Sequence, residues 1–165
     1  APDADIYTVT KPLSETQKRF IQNGVDSTYS DFKRRVAEGR KLSLDFEKCG
    51  ISNNGLKDLA SYLNQSELQE ISLNFASSLK IKDQGFKNFL QQTLLKSLKV
   101  LNLKFTGCIL LTNEPLKDWL EESTEKLRSL KELTMDFYQC PHIHQETKLA
   151  FQNSLKDFIP VCKIR

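Results

Sequence analysis

The feature that most restricts what this chain can fold into is a block of alternating apolar and polar residues that occurs four times. The first copy runs Leu42-Ser43-Leu44-Asp45-Phe46 and on to Cys49, Gly50 and Ile51. The second is Ile71-Ser72-Leu73-Asn74-Phe75, ending at Ser78. The third is Leu101-Asn102-Leu103-Lys104-Phe105, followed by Gly107-Cys108. The fourth is Leu133-Thr134-Met135-Asp136-Phe137, followed by Cys140. The phenylalanines are 29, 30 and 32 residues apart. Period-two alternation predicts strands with one buried face. Behind the blocks lie stripes at spacings of three and four: Leu56, Leu59, Ala60 and Leu63; then Phe86, Phe89, Leu90 and Leu94; then Leu116, Trp119, Leu120 and Leu127. Such stripes predict one-sided helices. Asn53, Asn54 and Asp83 are expected just ahead of their helices, as caps. A single strand–helix unit cannot bury its own apolar face, so the units must stack into one core.

The block L-x-x-L-x-L-x-F-x-x-C-x-I resembles the leucine-rich repeat family over about residues 40–160, most closely the long, ribonuclease-inhibitor-like class in a variant found in many protist proteins. The resemblance implies an α/β fold: a short leucine-rich-repeat solenoid with parallel strands on the concave side and helices on the convex side. It implies a domain of about four repeats over residues 40–165. Cys49, Cys108 and Cys140 match the family's Asn-or-Cys position, and Ser78 replaces it in the second repeat. Pro141-His142-Ile143 and the insertion Leu110 to Pro115 imply irregular, terminal repeats.

Residues 1–39 form a separate arm. Residues 14–39 read as an amphipathic helix, opened by Ser14 and Gln17 after Pro12 and closed by Gly39. Phe20, Ile21, Val25, Tyr29, Phe32 and Val36 share its apolar stripe, and the expected role is an N-terminal capping helix for the first repeat. The order Pro12-Leu13-Ser14, then Val25-Asp26, Tyr29 and Phe32, then Val36-Ala37-Glu38-Gly39-Arg40 and Leu42-Ser43, resembles a segment of the signal peptide peptidase A (protease IV) family, over about the first 43 residues. A G-R-V-x-T-G stretch expected soon after is absent, and that family's catalytic serine and lysine lie outside the segment. The likeness implies an alternative role, as a non-catalytic fragment or accessory chain of a serine–lysine peptidase-like protein.

Composition narrows the function classes. Net charge is +3 with the signs interspersed, unlike the one-signed stripe of a nucleic-acid binder. Lys33-Arg34-Arg35 and Lys163 to Arg165 are short and read as solvated. No apolar run reaches the roughly 20 residues of a membrane helix, and Ala1 to Thr10 lacks a secretory pattern. Three of four cysteines recur at one repeat position, which predicts reduced core thiols and an intracellular, reducing location, cytoplasm or organelle interior. His142 and His144 are the only histidines. They alternate with Cys140, but no second cluster completes a zinc set. No phosphate-binding glycine loop occurs. Glu121-Glu122 reads as a solvated pair and Trp119 as core. The chain is therefore expected to carry no catalytic, cofactor or metal site and not to be an enzyme.

What remains is a surface. The polar positions of the blocks point away from the core: Ser43, Asp45 and Glu47; Ser72, Asn74 and Ala76; Asn102, Lys104 and Thr106; Thr134, Asp136 and Tyr138. From these, Asp45, Glu47, Asn74, Asn102, Lys104, Thr134, Asp136 and Tyr138 form the candidate partner-binding set, with Tyr138 as the aromatic anchor. The expectation is a protein-interaction or scaffold module, acting through this face or as a subunit of a larger complex.

Overall fold

The computed structural model describes residues 40–64, 67–93, 97–122 and 124–165. The expected arm and capping helix lie outside the described residues, and so does the peptidase-like stretch up to residue 39. Strands and helices alternate: β1 Lys41–Asp45, α1 Asn53–Leu63, β2 Glu70–Asn74, α2 Asp83–Thr93, β3 Val100–Lys104, α3 Glu114–Glu122, α4 Thr124–Leu127, β4 Glu132–Asp136, α5 Gln145–Leu155 and β5 Val161–Ile164. All five strands lie in one sheet in chain order, each parallel to the next. The result is an α/β, solenoid-like stack.

The register explains the repeat. Leu42 pairs with Ile71, Ile71 with Leu101, Leu101 with Leu133 and Leu133 with Cys162. One sheet face is thus apolar in every strand, and all but the last of these residues are buried. Immediately beyond the strands, Phe46, Phe75, Phe105 and Phe137 are fully buried and stack face to face, with centroids 5.6, 5.4 and 5.8 Å apart. Phe89 meets Phe75 edge-on at 5.5 Å, and Phe86 tilts against Phe105 at 4.8 Å. Aromatic pairs of this kind add about 0.5–1.5 kcal/mol each beyond area burial. The helices contribute the other wall, with Leu56, Leu59 and Leu63 of α1, Phe86, Phe89 and Leu90 of α2, Leu116 and Trp119 of α3, and Phe151 and Leu155 of α5.

The turn after each strand has one shape. Two residues past each phenylalanine the backbone is left-handed, at Lys48 (φ 56°), Ser77 (φ 59°), Gly107 (φ 73°) and Gln139 (φ 59°). Only the third repeat places a glycine there, the residue that adopts this conformation without steric cost.

Several expectations are corrected. Asn53 and Asp83 are the first residues of their helices, not residues ahead of them. In α1, Ser52 Oγ takes the Gly55 N–H instead (3.3 Å). Asn53 and Asp83 bind the neighbouring repeat: Asn53 Oδ1 accepts the Lys82 N–H at 3.1 Å, and Asp83 accepts the Thr112 N–H at 2.9 Å together with its hydroxyl. Asn113 continues the series by accepting the His144 N–H at 2.8 Å. Gly85 makes room for the first of these staples, since a Cβ there would lie 1.9 Å from Asn53 Oδ1. The expected third helix is described as Glu114–Glu122 and Thr124–Leu127. The Leu110 to Pro115 insertion is absorbed into the fold: Leu111 is buried, and Pro115 sits in the first turn of α3, where a missing N–H costs nothing. Finally, Val161–Ile164 adds a fifth strand to the four expected.

Candidate binding face on the open side of the sheet

The face opposite the phenylalanine stack is lined by the residues between the buried leucines. Register sorts them into rows across the strands. The middle row is Ser43, Ser72, Asn102, Thr134 and Lys163. The strand-end row is Asp45, Asn74, Lys104 and Asp136, with Arg165 following Ile164 beside Asp136. Between them lies a trough of about 460 Å³ lined by Ser43, Asp45, Ser72, Asn74, Asn102, Lys104, Thr134, Asp136 and Arg165, with backbone of the intervening leucines as its floor. Six of the eight candidate residues are therefore brought together.

Glu47 and Tyr138 are not among the lining residues. Both are exposed, Tyr138 by 65%, and both stand in the turns just past the strands. Ala76, at the same turn position, is buried (3% exposed).

The strand-end row has a structural duty that composition does not reveal. Asp45 Oδ1 accepts the N–H of Glu47 at 2.8 Å, Asn74 Oδ1 that of Ala76 at 2.9 Å, and Asp136 Oδ1 that of Tyr138 at 2.8 Å. Each is an Asx-type turn, the side chain standing in for a backbone acceptor two residues on. The third strand breaks the pattern, because Lys104 has no acceptor to offer. Nearby, Asn102 Oδ1 and Thr106 Oγ1 are buried without a hydrogen-bond partner.

Arg165 and Lys163 were missed as part of this face, since their basic cluster reads as a solvated end. The available signal was Ile159-x-x-Cys162-x-Ile164, which copies Leu130-x-x-Leu133-x-Met135. The short strand, and a cysteine in place of leucine, hide it.

The cysteines face away from the trough. All four are free thiols. Cys108 Sγ donates to the Phe75 carbonyl at 3.2 Å, and Cys140 Sγ to the Phe105 carbonyl at 3.1 Å, so each thiol ties its turn to the preceding repeat. Burial pushes the Cys108 thiol up to about 12, with the Ser78 backbone N–H opposing the rise. Burial raises Cys140 and Cys162 as well. At neutral pH such thiols keep their protons. Ser78, at the equivalent position, is 1% exposed, and its hydroxyl finds no partner.

Cys140 points into the core, His142 is exposed, and His144 Nδ1 lies 3.1 Å from Asn113 Nδ2. Among the described residues, no group of three or more His, Cys, Asp or Glu side chains is placed to hold a metal, and no helix is long and apolar enough to cross a membrane. No family model matches the chain, and no curated protein matches it significantly.

Proposed function

We propose that this chain is a leucine-rich-repeat interaction module that takes a protein partner on the concave, strand-lined face, with Lys104 as a principal contact. The reading rests on one observation. In β1, β2 and β4 the strand-end side chain caps the following turn, whereas β3 places a cation there. An Asp or Asn at position 104 would supply a turn bond worth about 0.5–1.5 kcal/mol. A residue that forgoes local stability at an exposed position is accounted for by binding. Lys104 sits between Asn74 and Asp136, one strand away from each, where an anionic group of a partner would meet it. Non-catalytic binding also fits Cys108 and Cys140, whose buried thiols are bonded to backbone carbonyls.

The decisive substitution is Lys104→Asn. It should raise unfolding free energy, read by urea denaturation, while weakening capture of the partner recovered by wild-type affinity purification. Asp45→Asn and Asp136→Asn are the matched controls: they keep the turn-capping oxygen and remove only charge, as Asn74 does naturally. If Lys104→Asn stabilises the chain and leaves every recovered partner bound, the face is not the binding surface.

A further inference from the structure

β5 is the outermost strand of the sheet among the described residues, and its free side has a built-in occupant. The N–H groups of Val161 and Arg165 point inward, to the carbonyls of Lys131 (3.3 Å) and Met135 (2.9 Å). By the period of two, the N–H groups of Cys162 and Ile164 point outward, where a sixth strand would pair. Ile164 N–H is instead taken by Gln152 Oε1 of α5 at 2.9 Å. The side chain of a half-buried glutamine thus mimics a strand's carbonyl and covers the edge, a device against unwanted pairing.

The side chains around this edge define what could replace it. On the open face, the outermost groups are Lys163 and Arg165, both exposed. Their acidic neighbours, Glu132 and Asp136, lie on β4, inward of the edge. On the core face, Cys162 is only half-buried; Val161 shares the open face with Lys163 and Arg165, and it and Phe158 are 39% and 48% exposed. An incoming strand would therefore set acidic residues beside Lys163 and Arg165 and apolar residues over Cys162. A second copy fits poorly, because antiparallel pairing of two β5 strands centred on Lys163 puts that lysine opposite itself.

We propose that the β5 edge is a latent strand-addition site for an extended segment of alternating acidic and apolar residues, gated by Gln152. Binding requires that the Gln152–Ile164 bond open and that the segment's backbone take its place. The site adjoins the trough and shares Arg165 with it, but strand addition uses the backbone edge of β5, which the trough does not.

The test uses the full chain and two labelled hexapeptides, one alternating glutamate and valine and the other lysine and valine. Affinity is read by fluorescence anisotropy, and Ile164 amide exchange by NMR. The acidic peptide should bind and the basic one should not. Gln152→Ala should tighten the acidic peptide by roughly two- to ten-fold, since a competing hydrogen bond is gone. It should also speed Ile164 exchange until peptide is added. Lys163→Glu with Arg165→Glu should invert the preference. Equal binding of both peptides, unchanged affinity in Gln152→Ala, or an Ile164 amide that saturating peptide fails to protect would overturn the proposal. So would self-association of Gln152→Ala without peptide, which would make a second copy the favoured occupant.

Discussion

The two faces of this sheet are written on the same strands in alternate residues, yet they are built by different rules. The core face repeats one chemistry from β1 to β4: a branched or sulfur-bearing side chain, then a phenylalanine stacked on its neighbours at under 6 Å. The open face varies along every row, and its strand-end row changes sign from Asp45 through Lys104 to Arg165. Stacking demands that equivalents match, because each core residue packs against its own copy. Solvent makes no such demand, so variation there is free to serve turns and partners.

The comparison is easiest to break on the core face. Phe105 is fully buried and touches Phe75, Phe86 and Phe137. Phe105→Ala should cost about 3–5 kcal/mol in urea unfolding. Next in size is a pH effect. The Cys108 thiol holds its proton more tightly when folded, at about 12 against an ordinary 9.0. Its contribution to stability is therefore complete below pH 9 and is lost as pH rises from there toward 12. Wild type should lose stability more steeply than Cys108→Ala between pH 9 and 10.5, in parallel thermal melts.

Two smaller substitutions test how closely the repeats are equivalent. Gly107→Ala forces a Cβ into left-handed backbone at φ 73° and should cost about 1–2 kcal/mol. The same change of backbone demand in reverse, Ser77→Gly, should cost nothing. Ser78→Cys should stabilise the chain by about 1 kcal/mol. The longer C–S bond should let the thiol reach the Phe46 carbonyl, as Cys108 and Cys140 reach their own. On the open face, Lys104→Asn should gain about 0.5–1.5 kcal/mol from a new turn bond. A loss there would mean that the cation is structural and that the two faces differ less than their chemistry indicates.

Much of this was legible. Strand placement, the parallel stack and the helix stripes follow from Leu, Phe and Cys at fixed spacing, because burial leaves a periodic mark. Six of the eight candidate face residues line the trough, since alternation fixes which way a strand residue points. Past the strand end, alternation no longer decides exposure by itself: Glu47 and Tyr138 are exposed, whereas Ala76 is buried. Helix starts were misread because capping residues look alike whether they serve their own helix or the next repeat. Asn53, Asp83 and Asn113 do the latter, across 29, 29 and 31 residues. The fifth strand was hidden by its length: four residues with one fully buried side chain leave too little period to read.

The sequence by itself determined the repeat, and through it which residues must be interior, because apolar period is a local property of the chain. Only the tertiary structure decided what the polar residues do. Asp45, Asn74 and Asp136 look like surface charge and amide until their oxygens are seen on backbone N–H groups. Lys104 is distinctive only against those three, and Gln152 only beside the outward N–H of Ile164. Hydrogen bonds need donor–acceptor distances held to a few tenths of an ångström between groups set side by side by the stacked register, and no pattern along the chain encodes that.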